Sequence, residues 1–480
     1  MNFLSLPFLC FFPVTALLYF LLPRRLKNGW LLLASWFFYL CAQPVYLSLL
    51  LFVILTSYGA GLALERRRSK GMLALFLAGA IILLFLFKYV NFALSLAAQA
   101  LNGLGIAWQA PALTLVLPVG LSFYLFQAMG YVLDVWRGKV RAQRSFLIHA
   151  LFLSFFPQVV SGPIGRADEL VPQFLRPNPF DYDRFRRGLI RFLWGAFLKG
   201  VLADRLAVLV NTVFGAPESY GSVQLIGAAV AFAFQIYCDF SAYTHMALGV
   251  ADSMGFTLRE NFQMPYFARS VAEFWRRWHM SLTSWFRDYL YIPLGGSRRG
   301  TARKYLNILI VFTLSGLWHG SALTFVVWGL LNGLYQVVGQ MTAPLRDRCW
   351  ARTGLQPDGA LRHGVQTVIT FLLIAVTWVF FKASSMSNAW AVLSGMCRGP
   401  AWVGLSMGLD RWELLIAAGG LLLLLLVDLL SRKRDLTADY LELPRPVRWC
   451  VLWVLLFGCL VFGSYGAGYD PQDFLYGFSF

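Results

Sequence analysis

The chain has 480 residues, of which 58% are hydrophobic and only 13% charged, with a mean hydropathy of +0.62. A soluble domain is about a quarter charged, so this balance excludes a soluble multidomain protein, a disulfide scaffold, a disordered tail and a coiled coil as descriptions of the whole. An all-α polytopic membrane protein remains, with room at about 20 residues per span for a dozen crossings and substantial loops. The net charge of +18 is spread along the chain. With so apolar a composition it points to basic loops on one membrane face, anionic headgroups or a phosphorylated cofactor, and not to nucleic acid. The seven cysteines form no CxxC pair and predict neither a disulfide nor a metal site.

In chain order, Leu6–Leu22 reads as an uncleaved first span, since no charged n-region precedes it. Arg24, Arg25 and Lys27 follow it, Trp30–Cys41 crosses back, and Tyr46–Leu64 returns to Arg66, Arg67, Arg68 and Lys70. Met72–Phe87 goes out again, and Leu113–Val135 comes in to Arg137, Lys139, Arg141 and Arg144. Every basic cluster falls on one side, which sets the cytoplasmic face and puts both termini outside. Phe146–Ile164 is interrupted by Pro157, Gly162 and Pro163 and reads as re-entrant or interfacial, backbone that membrane depth tolerates only where protein or a watery cavity satisfies it. Spans are expected near Leu189–Phe214 and Val223–Val250. The basic, Trp-rich stretch Gly255–Lys304 reads as cytoplasmic-side interfacial helix with Trp275, Trp278, Trp285, Tyr289 and Tyr291 at headgroup level. Tyr305–Trp318, Leu323–Met341, Val365–Phe381, Leu414–Leu430 and Trp449–Phe462 complete the set.

Five histidines are few enough to weigh singly. His149 and His363 read as solvated or interfacial. His279, in Glu273-Phe-Trp-Arg-Arg-Trp-His279, and His319, in Ser315-Gly-Leu-Trp-His319-Gly, lie in settings where an imidazole is expensive, and such a group marks a functional site by default. A packing histidine that hydrogen-bonds between helices is an equally available reading of His319. Neither has a His, Cys or carboxylate at i+3 or i+4, so no metal is expected. Gly295-Gly296 ahead of Arg298-Arg299 is compatible with a phosphate. Gln235, Tyr237, Asp239, Ser241, Tyr243 and Thr244 crowd one span, and Gln127, Tyr131 and Asp134 mark another, which argues against a mere anchor but suits a pore as well as an enzyme.

Five segments carry a resemblance: Ser161-Gly-Pro-Ile-Gly-Arg166, Tyr237-Cys-Asp-Phe-Ser-Ala-Tyr243, Glu273-Phe-Trp-Arg-Arg-Trp-His279, Arg287-Asp-Tyr-Leu-Tyr-Ile-Pro-Leu-Gly-Gly296 and Leu317-Trp-His-Gly320. Together they look like the membrane-bound O-acyltransferase (MBOAT) family, in particular the alginate-acetylating type of its bacterial branch, which also includes teichoic-acid D-alanylation proteins. One departure is Ala242-Tyr-Thr-His245-Met-Ala, where the family usually shows Gly-Tyr-Ser-Asp-Met-Ala, so no acid role carries over to that position.

The resemblance implies one MBOAT-like domain over 1–480: N-terminal spans 1–136, a core with the histidine motifs at 137–342, C-terminal spans 343–467 and an extracytoplasmic aromatic tail 468–480. Its fold would be a bundle of about 11–13 helices, with re-entrant or interfacial segments around a central tunnel lined by Gln235, Tyr237, Asp239 and Trp318. It further implies transfer of an acyl group, most simply acetyl, from a cytoplasmic thioester to an extracytoplasmic polysaccharide, in a bacterial inner membrane. His319 would be the general base, His279 would position or polarise the acyl carbonyl, and Arg276, Arg277, Arg298 and Arg299 would hold the phosphates of acetyl-CoA. An acyl carrier protein thioester is the alternative donor. Implied partners are an extracytoplasmic SGNH-type acyltransferase or similar acceptor, a polysaccharide synthesis and export complex, and membrane lipids. The ending Phe474-Leu-Tyr476-Gly-Phe-Ser-Phe480 resembles tails whose tyrosine takes the acyl group, against an aromatic interface anchor as the plain reading. A transporter or flippase, and a synthase scaffold without acyl chemistry, remain the competing functions.

Overall fold

The computed structural model describes residues 1–464 except 112, 114, 357 and 433; the tail with Tyr476 lies outside the described residues. Every regular element among the described residues is helical. Among the described residues, six helices are long and apolar enough to cross a membrane: Pro44–Arg66, Lys70–Lys88, Ser222–Ser253, Ala360–Lys382, Arg411–Ser431 and Arg445–Phe462. The chain divides into two compact units, one formed by Met1–Phe192 with Tyr243–Arg259, the other by Leu193–Ala242 with residues 260–464.

At the centre of the first unit lies helix Leu121–Trp136, buried along almost its whole surface and packed on Leu47–Arg66 and Lys70–Lys88. Gly61 lets the Tyr131 ring approach, since a Cβ there would meet the phenol oxygen at 2.6 Å. His149 packs its ring 4.6 Å from that of Tyr131 and shares a 2.9 Å hydrogen bond with Ser57 Oγ. It is therefore a buried packing histidine, where a solvated or interfacial one was expected; the apolar surroundings are supplied by helices far away in sequence.

The expected span Leu113–Val135 is a helix only from Leu121. Pro118 disfavours helical backbone at the residue before it, and Gly120 takes a left-handed φ of 74°. The turn before the helix is held instead by side chains: Tyr39 donates to the Val119 carbonyl at 3.0 Å, and Gln43 accepts from the Val119 N–H at 2.8 Å. An additional helix, Val90–Gly103, stands in a stretch for which no element is predicted from sequence. Phe146–Ser154 is a helix of nine residues, about 14 Å long and too short to span a core of about 30 Å. Irregular backbone follows, and it is buried and satisfied by protein: Ser35 accepts from the Phe156 N–H, while Gln127 and Gln158 both donate to the Phe152 carbonyl.

In the second unit, Thr301–His319 and Leu323–Met341 form a tight helical hairpin. Small residues allow this approach. A Cβ on Gly316 would meet the Phe325 carbonyl, and one on Gly329 would meet the Phe312 carbonyl and the Gly316 Cα. Because those obstacles are backbone atoms, Gly329→Ala should cost roughly 1–3 kcal/mol by overpacking, read as a lowered thermal midpoint of the purified protein. A midpoint equal to wild type would mean the helices separate freely.

The stretch after Glu260 departs from the interfacial helix expected of it. It breaks into Pro265–Phe267, Val271–Arg277, Met280–Phe286 and the π-turn Arg287–Tyr291. Trp275, Trp278, Trp285 and Tyr289 are buried, with Trp278 fully enclosed, so these aromatics pack against protein. Tyr291 alone of the five stays half-buried. Trp275 donates its indole N–H to Asn332 Oδ1 at 3.1 Å, a bond that pins this segment to the hairpin. The arginines point the other way: Arg276, Arg287, Arg298 and Arg299 are exposed.

Candidate active site

The second unit alone brings His279 and His319 together, with ring centroids 6.5 Å apart. Both are buried, 1% and 3% exposed. His319 is the last residue of its helix, and Gly320 continues in extended backbone. Its ring packs edge-on to Trp328 at 4.9 Å and Trp318 at 4.8 Å, and lies 5.5 Å from Phe381.

His279 has an unusual backbone for a residue with a Cβ, φ 44° and ψ 52°. Left-handed backbone at a non-glycine residue is uncommon and persists only when the surroundings fix it. Asn261 supplies that fixation: its carbonyl accepts from the Met280 N–H at 3.0 Å, and its Oδ1 accepts from Ser281 N–H at 3.2 Å. The bend turns the imidazole edge-on to Phe240 at 4.7 Å and to within 6.1 Å of Trp318. Asn261, Trp328 and Phe381 were not singled out from sequence, and no local pattern marks them; Phe240 lies within the Tyr237–Tyr243 segment.

The other candidates divide. Trp318 joins the two histidines. Tyr237 turns its hydroxyl to Asp428, donating at 2.9 Å, while its ring lies 6.0 Å from Trp278. Asp239 accepts from Lys199 at 2.7 Å, and Lys199 also pairs with Asp204 at 2.9 Å, all three buried. Gln235 is buried, and its Oε1 has no hydrogen-bond partner among the described residues. Of the four arginines, Arg277 is committed to Glu273 at 2.6 Å; Arg276, Arg298 and Arg299 are exposed. Gly295 and Gly296 both take positive φ, forming the turn that leads into Arg298 and Arg299. Glu273 lies outside the long spanning helices. Burial pushes its carboxyl up, but the Arg269 N–H and the Arg277 and Arg269 guanidiniums outweigh burial and hold it below the ordinary carboxylate range. The stability from this cluster is present above the ordinary glutamate pKa and is lost as pH falls through the lowered one. Among the described residues, no group of three His, Cys, Asp or Glu side chains is placed to hold a metal.

Comparison with known proteins gives the class of chemistry. Residues 140–386, which contain both histidines, match the model of "MBOAT, membrane-bound O-acyltransferase family". The chain is 35% identical over 398 residues to "Probable alginate O-acetylase AlgI" of Pseudomonas aeruginosa, covering 82% of this chain and 74% of that one. It is 34% identical to "Peptidoglycan O-acetyltransferase" of Helicobacter pylori, over 80% and 77% of the two chains. "Teichoic acid D-alanyltransferase" of Bacillus subtilis matches over 47% of this chain and 59% of that one, at 27% identity. The chain belongs to the membrane-bound O-acyltransferase family: it is a multi-pass membrane O-acyltransferase that uses an acyl donor.

Proposed function

We propose that this enzyme carries an acetyl group from cytoplasmic acetyl-CoA across a bacterial inner membrane to an acceptor that feeds an extracytoplasmic polysaccharide. The pair of buried imidazoles 6.5 Å apart carries the reading, because ester formation needs a base for the acceptor and a donor for the carbonyl oxygen. His319 takes the proton as the acceptor hydroxyl attacks the thioester carbonyl. His279 hydrogen-bonds to the oxygen that gains charge. The C–S bond then breaks, and the proton passes from His319 to the departing thiolate. Relatives named for alginate and peptidoglycan O-acetylation support acetyl as the group and a cell-surface polymer as its destination. The partner would be an SGNH-type or similar acceptor protein outside, within a polymer synthesis and export complex.

On this reading the exposed Arg276, Arg298 and Arg299 hold the coenzyme's phosphates by charge-assisted hydrogen bonds. Arg277, engaged by Glu273, shapes the segment instead. Acetyl-CoA affinity should then fall as salt rises, and fall further in Arg298→Gln/Arg299→Gln, in equilibrium binding to the purified protein. Affinity indifferent to both would point to a carrier-protein donor docking elsewhere.

Tyr476 is the first acceptor in this proposal, its phenol forming an aryl ester that is a better donor to the partner than an alkyl ester. Tyr476→Phe keeps the ring and removes the hydroxyl, so polymer acetylation should be lost while membrane insertion is unchanged. Normal acetylation by Tyr476→Phe would make the tail an interface anchor.

A further inference from the structure

Apart from the histidine site, the first unit holds a lateral cavity of about 360 Å³ between helices Leu47–Arg66, Lys70–Lys88 and Leu121–Trp136. Val53, Ala80 and Leu125 are its buried floor, and Phe52, Met72 and Leu75 are exposed at its edges. Its single polar wall residue is Thr56. The volume falls in the range of ligand pockets, about 300–1,000 Å³. Along Lys70–Lys88 it extends from Met72 to Leu83. Those positions are about 16 Å apart at 1.5 Å per residue, close to the half-thickness of about 15 Å of a bilayer's hydrocarbon core.

The groove has a charged end. Both helices meet at the turn Arg67–Ser69, and Arg66, Arg67, Arg68 and Lys70 are all exposed there. Lys70 precedes Met72 by two residues. Glu65, the acid nearest this turn in sequence, is engaged by Arg144 and by the Ala142 N–H. A ligand seated here has an apolar tail one leaflet long and an anionic head at the level of the basic turn.

We propose that this groove is a binding site for one anionic phospholipid of the leaflet that faces the basic loops, with an acyl chain along Val53, Gly79 and Ala80 and its phosphate on Arg67, Arg68 and Lys70. The site is independent of the acyl-transfer reading. Each cation near the headgroup contributes about 1 kcal/mol toward anionic lipid, so three give a preference on the order of a hundredfold over a zwitterionic lipid.

The test uses the full chain in neutral detergent, titrated with phosphatidylglycerol or phosphatidylcholine, with lipid retention read by native mass spectrometry and stability by thermal unfolding. One phosphatidylglycerol should be retained per chain and raise the midpoint, with phosphatidylcholine far weaker. Gly79→Leu puts a branched apolar side chain on the groove's lining, at a position where a Cβ meets nothing within 4 Å. It should lose the bound lipid and its stabilising effect while keeping the lipid-free midpoint. Arg67→Gln/Arg68→Gln/Lys70→Gln should keep a lipid but lose the preference. Equal stabilisation by the two lipids, retention of phosphatidylglycerol by Gly79→Leu, or a dimer that Gly79→Leu dissolves would each overturn the proposal.

Discussion

Replacing His319 with alanine should lower acyl transfer by about 10²–10⁴-fold, the usual contribution of a general base, in membranes supplied with labelled acetyl-CoA and the acceptor polymer. The imidazole sits among Trp318, Trp328 and Phe381, so its truncation also opens a void. His319→Gln nearly fills the space and keeps a hydrogen-bonding group, which separates lost packing from lost basicity. A base predicts that both variants are inactive although Gln is folded as wild type. A packing histidine predicts that Gln is active and only Ala is impaired. Transfer at the wild-type rate by folded His319→Ala would leave a transporter or a scaffold as the function. On the proposed mechanism His279→Ala should also lose rate, because it removes the donor assigned to the carbonyl oxygen, held here on left-handed backbone.

Much of the architecture follows from apolar runs and basic punctuation. Arg66–Lys70 ends one long helix and begins the next, as the alternation of charge predicts. What stays hidden is what depends on partners distant in the chain. The run Leu113–Val135 is largely apolar, and hydropathy carries no sign that Tyr39 and Gln43 hold Val119 in a turn ahead of the helix. Trp275 and Trp278 look amphipathic beside Arg276 and Arg277; their burial depends on Asn332 and Trp378, about 60 to 100 residues away. For the site, the local motifs pick out both histidines, but neither composition nor spacing brings them together. That proximity comes from the glycine-lined hairpin ending at His319 and from the Asn261 clamp on His279. Asp239 reads as a polar wall residue because its counter-charge is 40 positions away, inside a run that reads as an ordinary span.

That counter-charge carries the last large effect. Lys199, on the π-helix Leu198–Ala203, faces Asp239 and Asp204, and each of the three is at most 5% exposed. π-helical turns occur often at functional sites, and charges at membrane depth are costly unless paired. The three partners are unequal. Lys199→Met takes the lysine away from two buried carboxylates, and breaking a buried pair in this way costs about 3–5 kcal/mol. Asp239→Asn leaves Lys199 with Asp204 at 2.9 Å, a balanced pair, so it should cost much less. Neutralising all three, as Lys199→Met/Asp204→Asn/Asp239→Asn, should recover most of what Lys199→Met loses, since apolar or neutral replacements of a buried ion cluster are often tolerated. Thermal midpoints of the three purified variants give the order directly, and equal losses for Lys199→Met and Asp239→Asn would refute the charge-balance account. Activity should follow a different order. Asp239 precedes Phe240, whose ring lies 4.7 Å from His279, so a variant that frees this turn of helix Ser222–Ser253 loosens the wall behind the imidazole. Asp239→Asn should therefore stay well folded yet transfer acyl groups more slowly, and that separation of stability from rate is what a role in holding His279 requires.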